Sequence, residues 1–330
     1  MYDKLPKKII ITEQLLGEGF CAEHEFIPTE TKVWFARELM AAGCKRFQVS
    51  NFGNPKFMPQ YRDAEEVYRQ LGHPEGVSFQ APALNMRAFE RILELRKEGF
   101  GPDTVEMLIA TTDAFNKANV GKTTDEQWKI TEPMVKMAKD AGLKVTGGIG
   151  GCFTCLQDGS KVPLEEIAKF TNRWIDLGVD HIVHAEGGKD RQASPNEVYE
   201  YFSMVLEKYP SCDHRFHTHD SWGWGVPNYI AAMQAGITNF EVCLGGLQGG
   251  PSLTMMDRVP IVSSENMPPV DCWDAEAWGL VPAEDFISIC EGMGVDTGFD
   301  VIRLVKIGHW LERVIGRRLK SKRLRYGFGI

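Results

Sequence analysis

Positive charge is in short supply in this 330-residue sequence. Its 37 lysines and arginines stand against 45 aspartates and glutamates, a formal net charge of −8. Nucleic acids and anionic membranes are bound through clustered cations, so neither is an expected partner. Cysteine is sparse too. Eight in 330 residues cannot form a disulfide scaffold, and a reducing, cytoplasmic location is expected. No apolar run approaches the roughly 20 residues of a membrane span. The opening MYDKLPKKIIITEQ lacks the charged, apolar and cleavage regions of a secretory signal. Also missing is a Gly-rich dinucleotide fingerprint after the first strand-like run. What is present is 43% hydrophobic and 25% charged residues, enough to bury a sizeable core and typical of an α/β enzyme.

Short β-branched runs alternate with longer segments of helical period, the pattern of a parallel sheet with crossover helices. Strands are expected within residues 8–16, 46–51, 77–83, 105–110, 143–151, 181–186, 214–220 and 239–246. Helices are expected at 30–42, 63–71, 86–98, 125–141, 164–177, 196–208 and 226–235. Thr29 should cap the first of them and Gly43 stop it. The eighth helix is delayed to 283–293 by a Pro- and Trp-containing insertion at 252–278, after strand eight. Eight successive strand–helix units predict a closed (β/α)8 TIM barrel rather than an open doubly wound sheet. A single catalytic domain is expected over 1–330, with its barrel core at 8–295. The C-terminal helical extension, 296–330, reads as one amphipathic helix at 300–315 and a basic, frayed tail ending KSKRLRYGFGI.

The active site of such a barrel lies at the C-terminal ends of its strands. Glu18 follows strand one, GGCFTC ends strand five, HAEGG ends strand six and HTHD ends strand seven. Side chains two apart on a strand point the same way, so His217 and His219 can face one point. Two neutral imidazoles opposite a carboxylate, which Glu18 could supply, make a divalent-cation site. The mixed N/O set suits Mg2+ or Mn2+, and Zn2+ less well because no thiolate is placed there. The alternative is that both histidines only cap the strand through hydrogen bonds.

At these residues the chain resembles the HMG-CoA lyase-like branch of the pyruvate carboxyltransferase-like (DRE-TIM) metallolyases, over nearly its whole length. FGNPKFMPQYRDAEEV (52–67) is similar to the family segment after strand two, and HTHDSWGWGVPNYIAAMQAGI (217–237) to its metal-binding strand and following helix. GGLQGGP (245–251) looks like its glycine-rich loop, and AEDFISICEGMGVDTGFD (283–300) like its closing helix and turn. The resemblance implies a divalent metal held by His217, His219 and an acidic residue at Glu18, where the family has Asp. The family's further Asn ligand falls on Leu280, which cannot ligate, leaving Asn266 in the insertion as a weak candidate.

Two departures are larger. The family's Arg directly before the strand-one acid is Gly17 here, and the lyase branch's loop Cys is Gly250. In a lyase that Arg stabilises the developing enolate oxygen. Its role is expected to pass to His184, Lys189 or Arg191, with Glu186 in place of a common family Asp. The resemblance implies His184, Glu186, Asp220 and Arg191 as catalytic residues. Substrate is expected to meet Gln48, Asn51, Cys155, Lys189, Gly249 and Gly250.

The resemblance further implies a metal-dependent retro-aldol cleavage of a 3-hydroxyacyl-CoA or related hydroxy acid, with the hydroxyl proton taken by a base near His219, Asp220 or His184. The two lost residues point away from 3-hydroxy-3-methylglutaryl-CoA itself. The alternatives are a condensing acyltransferase of the isopropylmalate synthase type and, from another class, a non-catalytic ligand-binding barrel. A homodimer or higher homo-oligomer is expected from the family. The lone Cys152–Cys155 pair lacks a second pair at zinc spacing and reads as pocket lining. Trp222, Trp224, Trp273 and Trp278 line a pocket or pack the insertion, Lys56 and the basic tail are solvated, and His73, His181 and His309 carry no functional assignment.

Overall fold

The computed structural model describes residues 5–23, 25–56, 58–154, 160–186, 192–247 and 279–326. Eight parallel strands close into a barrel in chain order: β1 (Ile10–Glu13), β2 (Arg46–Gln48), β3 (Ser78–Pro82), β4 (Thr104–Ala110), β5 (Lys144–Gly150), β6 (His181–Ala185), β7 (Asp213–His217) and β8 (Asn239–Val242). Closure pairs β1 with β8, Ile10 opposite Asn239 and Glu13 opposite Val242. The (β/α)8 TIM barrel read from the alternation is the fold.

Outside the strands run α1 (Thr29–Ala41), α2 (Ala64–Leu71), α3 (Met86–Lys97), α4 (Asp113–Val120), α5 (Thr124–Asp140), α6 (Leu164–Asp176), α7 (Pro195–Lys208) and α8 (Gly225–Ala235). After the insertion come α9 (Ala283–Gly292), α10 (Val301–Ile315) and α11 (Lys322–Tyr326). Local chemistry explains several of these boundaries. α5 and α7 each begin with a full capping box, Thr123 with Glu126 and Ser194 with Glu197. α4 lies between the Thr112 cap and Gly121, whose φ of 72° is the left-handed stop that glycine adopts freely. That helix is absent from the sequence reading. Thr29 is not a cap but the first residue of α1, its hydroxyl donating to Asp63 Oδ2 at 2.8 Å.

The strands sort their residues by face. Ile11, Phe47, Phe79, Val105, Met107, Val145, Ile182, Phe216 and Phe240 belong to one apolar core with the helices, so the main hydrophobic layer surrounds the barrel. The barrel interior is polar. Arg215 Nη1 on β7 donates to Gln80 Oε1 on β3 at 3.0 Å. Those strands are not neighbours, so the bond crosses the inside of the barrel. The same Gln80 amide reaches Glu106 on β4 and Glu241 on β8, each at 3.4 Å. Below this layer, Arg46 Nη1 donates to Asn239 Oδ1 at 3.1 Å, and Asn239 Nδ2 to Asp213 Oδ1 at 2.6 Å. Barrels of this type usually fill these layers with Val, Ile and Leu.

The C-terminal tail corrects the expectation of a frayed end, as far as Tyr326. Leu319, Ser321 and Leu324 are buried. Asp285 on α9 accepts from Ser321 Oγ at 2.7 Å and from the backbone N–H groups of Lys322 and Arg323 at 2.9 and 2.8 Å. Lys320 Nζ donates to Gly279 O at 3.1 Å, which also accepts from Asp220 N. The tail therefore braces the chain where it returns from the insertion to the rim of β7. The insertion itself, 252–278, lies outside the described residues, with Trp273, Trp278 and Asn266.

Candidate functional site

A cavity of about 110 Å3 opens at the C-terminal ends of the strands. Its walls carry Glu18 from the loop after β1, Gln48 and Asn51 from β2 and its following turn, and Glu106 and Leu108 from β4. Gly150, Val183, Ala185, Glu186, His217 and His219 also line it, with Gly17 beside Glu18 and Asn119 from α4. Ligand atoms of Glu18, His217 and His219 all lie within 4.8 Å of one another. The sequence-predicted triad is thus brought together from two separate chain segments. His217 and His219 converge because they are two residues apart at a strand end.

Hydrogen bonds fix this arrangement. Glu241 Oε2 lies 3.0 Å from His217 Nδ1, which leaves Nε2 facing Glu18 at 3.9 Å. A carboxylate on the far nitrogen is the usual means of orienting an imidazole ligand. Gln192 Nε2 donates to the His219 carbonyl, and Trp222 N donates to Gln192 Oε1 at 3.0 Å. Glu13 anchors the loop bearing Glu18: its Oε1 accepts from Leu15 N and from Leu244 N, each at 2.9 Å. Glu186 accepts from Thr218 Oγ1 and Ala193 N.

The electrostatics are those of a site short of positive charge. Burial raises Glu18, and repulsion from Glu241 adds to that against the pull of His217. Burial and the charge of Glu241 lift Glu106 to about 8. Burial alone would depress His217, but Glu18, Glu241 and Glu106 outweigh it and hold the imidazole up at about 9. Both Glu18 and His217 thus cling to protons where a bound cation would take the protons' place. One carboxylate and two imidazoles are a donor set for a divalent metal, so the residues fit the group that the resemblance implies.

Two sequence-assigned catalytic residues do not reach this cavity. Val183 and Ala185 face it, so alternation turns His184 outward. Its Nδ1 lies 2.6 Å from Tyr201 Oη and its Nε2 3.0 Å from His214 Nδ1, fully buried against α7. Burial keeps it well below the ordinary imidazole range, so it cannot stand in for a lost cation. Asp220 turns toward α8, where its Oδ1 accepts from Gly225 N at 2.8 Å, and its Oδ2 lies 3.8 Å from Lys320. Leu280 is in the apolar core, paired by backbone with His219. Trp222 and Trp224 are surface residues with ring centroids 5.4 Å apart. Cys155, Lys189, Arg191, Gly249 and Gly250 lie outside the described residues.

Glu106, Glu241 and Arg215 were not singled out from the sequence. Their signal is a charged residue alternating with apolar ones inside a strand-like run: VEMLIA, NFEV and HRFH.

The chain matches the HMGL-like family model over residues 8–311. It is 25% identical over 319 residues to the hydroxymethylglutaryl-CoA lyase YngG of Bacillus subtilis (strain 168), covering 97% of each chain. It is 27% identical over 323 residues to the (R)-citramalyl-CoA lyase of Chloroflexus aurantiacus, covering 95% of this chain and 93% of that one. The solved structure of the Bacillus subtilis HMG-CoA lyase superposes with a TM-score of 0.83 at 25% identity over 98% of each chain. An Acinetobacter baumannii HMG-CoA lyase solved with coenzyme A and 3-methylmalate shares the fold, at a TM-score of 0.84 and 22% identity over 98% of this chain and 96% of that one. With a family match over most of its length and a metal-type triad at the family's barrel rim, this chain belongs to the HMGL-like family.

Proposed function

We propose that this chain is a divalent-metal-dependent carbon–carbon lyase that cleaves a 3-hydroxyacyl-CoA, or a related hydroxy acid, other than 3-hydroxy-3-methylglutaryl-CoA. The observation that carries the reading is the convergence of Glu18, His217 and His219 on one point of the cavity wall. Relatives that are lyases of hydroxymethylglutaryl-CoA and of (R)-citramalyl-CoA support the reaction class.

When bound at these three side chains, Mg2+ or Mn2+ supplies Lewis acidity that polarises substrate oxygens and lowers the pKa of a hydroxyl. In the cleavage, a base takes the hydroxyl proton and the oxygen's electron pair forms a C=O bond. The adjacent carbon–carbon bond breaks, and its electrons pass to the acyl fragment as an enolate, which then takes up a proton. Glu186 is the cavity carboxylate outside the triad that accepts the hydroxyl proton, held in place by Thr218 and Ala193. Glu106 is the cavity carboxyl that burial keeps protonated, and it serves as the acid for the enolate.

The test is a product assay by mass spectrometry on protein loaded with Mg2+ or Mn2+. The substrates are citramalyl-CoA, longer 3-hydroxyacyl-CoAs and 3-hydroxy-3-methylglutaryl-CoA, with His217→Ala as control. Cleavage of citramalyl-CoA or a longer 3-hydroxyacyl-CoA to a shorter acyl-CoA and a carbonyl product, only with metal and His217 present and with 3-hydroxy-3-methylglutaryl-CoA left intact, is the expected result. Protein that holds Mn2+ yet cleaves none of these would overturn the assignment.

A further inference from the structure

Retro-aldol cleavage leaves charge on an acyl oxygen, and a fixed donor must meet it. The position before the strand-one acid, where the resembling lyases have Arg, is Gly17. Gln48, the last residue of β2, leans over that glycine. A Cβ built on Gly17 would lie 2.5 Å from Gln48 Oε1 and 2.6 Å from its Cγ. The carboxamide therefore fills the space that any side chain at position 17 would have to cross. It lines the cavity beside Glu18 and His217.

Gln48 is only 4% exposed, and among the described residues nothing hydrogen-bonds to its carboxamide. Gln80, the equivalent glutamine one strand along, accepts from Arg215 at Oε1 and donates from Nε2 to Glu106 and Glu241. The carboxamide atoms of Gln48 are not sealed off, so the group opens onto the cavity, where a ligand oxygen can bond to it. Among the described residues, the cavity wall also brings three carboxyl groups and neither Lys nor Arg. A developing oxyanion must therefore be met there by a neutral donor, and Gln48 is the wall carboxamide set directly over Gly17, with Asn51 and Asn119 also on the wall.

We propose that Gln48 is the catalytic donor to the substrate's acyl oxygen, its amide hydrogens bonding the carbonyl and holding the same oxygen as it becomes an enolate. This inference rests on the lyase reading above. It assigns to a neutral amide on β2 the task that the related enzymes give to a cation on β1.

The test uses Mn2+ and acetohydroxamate, a small chelating mimic of an acetyl enolate. Mn2+ affinity is measured by calorimetry, and hydroxamate binding by its effect on the Mn2+ electron paramagnetic resonance signal. Gln48→Met keeps the side-chain volume and removes the donor. Gly17→Ala keeps the donor and displaces it.

Each variant should bind Mn2+ within about twofold of wild type and acetohydroxamate about tenfold more weakly. The double variant should be no weaker than Gln48→Met, because both changes act on one contact. Wild-type hydroxamate affinity in Gln48→Met would overturn the proposal. Joint loss of Mn2+ and hydroxamate in that variant would also overturn it, showing that Gln48 only supports the metal site. Wild-type protein that binds Mn2+ but no hydroxamate would refute the donor role alone. Wild-type protein that binds no Mn2+ would instead refute the lyase reading on which the donor rests.

Discussion

Glu13 offers a sharp test of how this barrel tolerates buried charge. Its side chain is fully buried, with Oε1 shared by Leu15 N and Leu244 N and Oε2 without a hydrogen-bond partner. Burial outweighs the backbone donors and lifts the carboxyl from 4.5 to about 8. The native state therefore keeps a proton that the unfolded chain releases above pH 4.5. The stabilisation is complete below that pH and is lost as pH rises through about 8. A shift of that size, at 1.36 kcal/mol per pH unit, corresponds to about 5 kcal/mol lost by pH 9.

Glu13→Gln mimics the protonated acid, keeps Oε1 for both backbone donors and has no proton to release. At pH 5 the variant should melt within about 1 °C of wild type, since the two are near-isosteric and equally neutral. At pH 9 it should melt about 7 °C higher, taking the unfolding entropy per residue over a chain of this length. Thermal melts followed by tryptophan fluorescence in EDTA, which removes any contribution from metal occupancy, measure the difference directly. Other raised carboxyls, Glu106 and Glu18 among them, remain in both proteins and largely cancel. Parallel pH profiles for the two proteins would refute the reasoning.

Glu241→Gln, which weakens the bond orienting His217, should lower Mn2+ affinity about 10- to 100-fold by calorimetry; unchanged affinity would show that Glu241 has no part in holding the metal ligand. Leu324→Ala should cost about 2–3 kcal/mol in urea denaturation, because the side chain is buried in the core. A loss below about 0.5 kcal/mol would mean that the tail is not docked in solution. Gly147→Ala should lower stability by about 1–3 kcal/mol, since the new methyl group would run into the buried Trp174 ring; an unshifted melting curve would contradict that packing.

The barrel and its triad were legible because each rests on a strong local signal. Repeated alternation of strand and helix patterns specifies the fold class, and the two-residue spacing of His217 and His219 specifies a shared face. His184 and Asp220 failed for a matching reason. Proximity to a strand end does not say which face a side chain takes, and the phase of β6 turns His184 toward α7. Glu106, Glu241 and Arg215 were passed over because a charged residue within a short apolar run looks like an interruption. Only the closed barrel makes it an inward-facing member of a polar layer. The tail was misjudged because its partner, Asp285, is distant in sequence, and nothing local to KSKRLRY announces a carboxylate waiting for its backbone. α4 was missed despite its Thr112 and Gly121 punctuation, since eight residues hold too few turns to show a clear period.

The polar interior also bears on the order in which the molecule assembles. Neighbouring strand–helix units can gather their apolar shell from contacts close in sequence, whereas the Arg215–Gln80–Glu241 ties need β3, β7 and β8 to be in place around the axis. Long-range ties of this kind are expected to form in the last steps of folding, after the main barrier. A substitution such as Gln80→Met would then speed unfolding while leaving the refolding rate nearly unchanged, a split visible in the two limbs of a denaturant chevron. The polar axis would thus act chiefly as a lock on the finished barrel, governing how long it stays closed more than how quickly it closes.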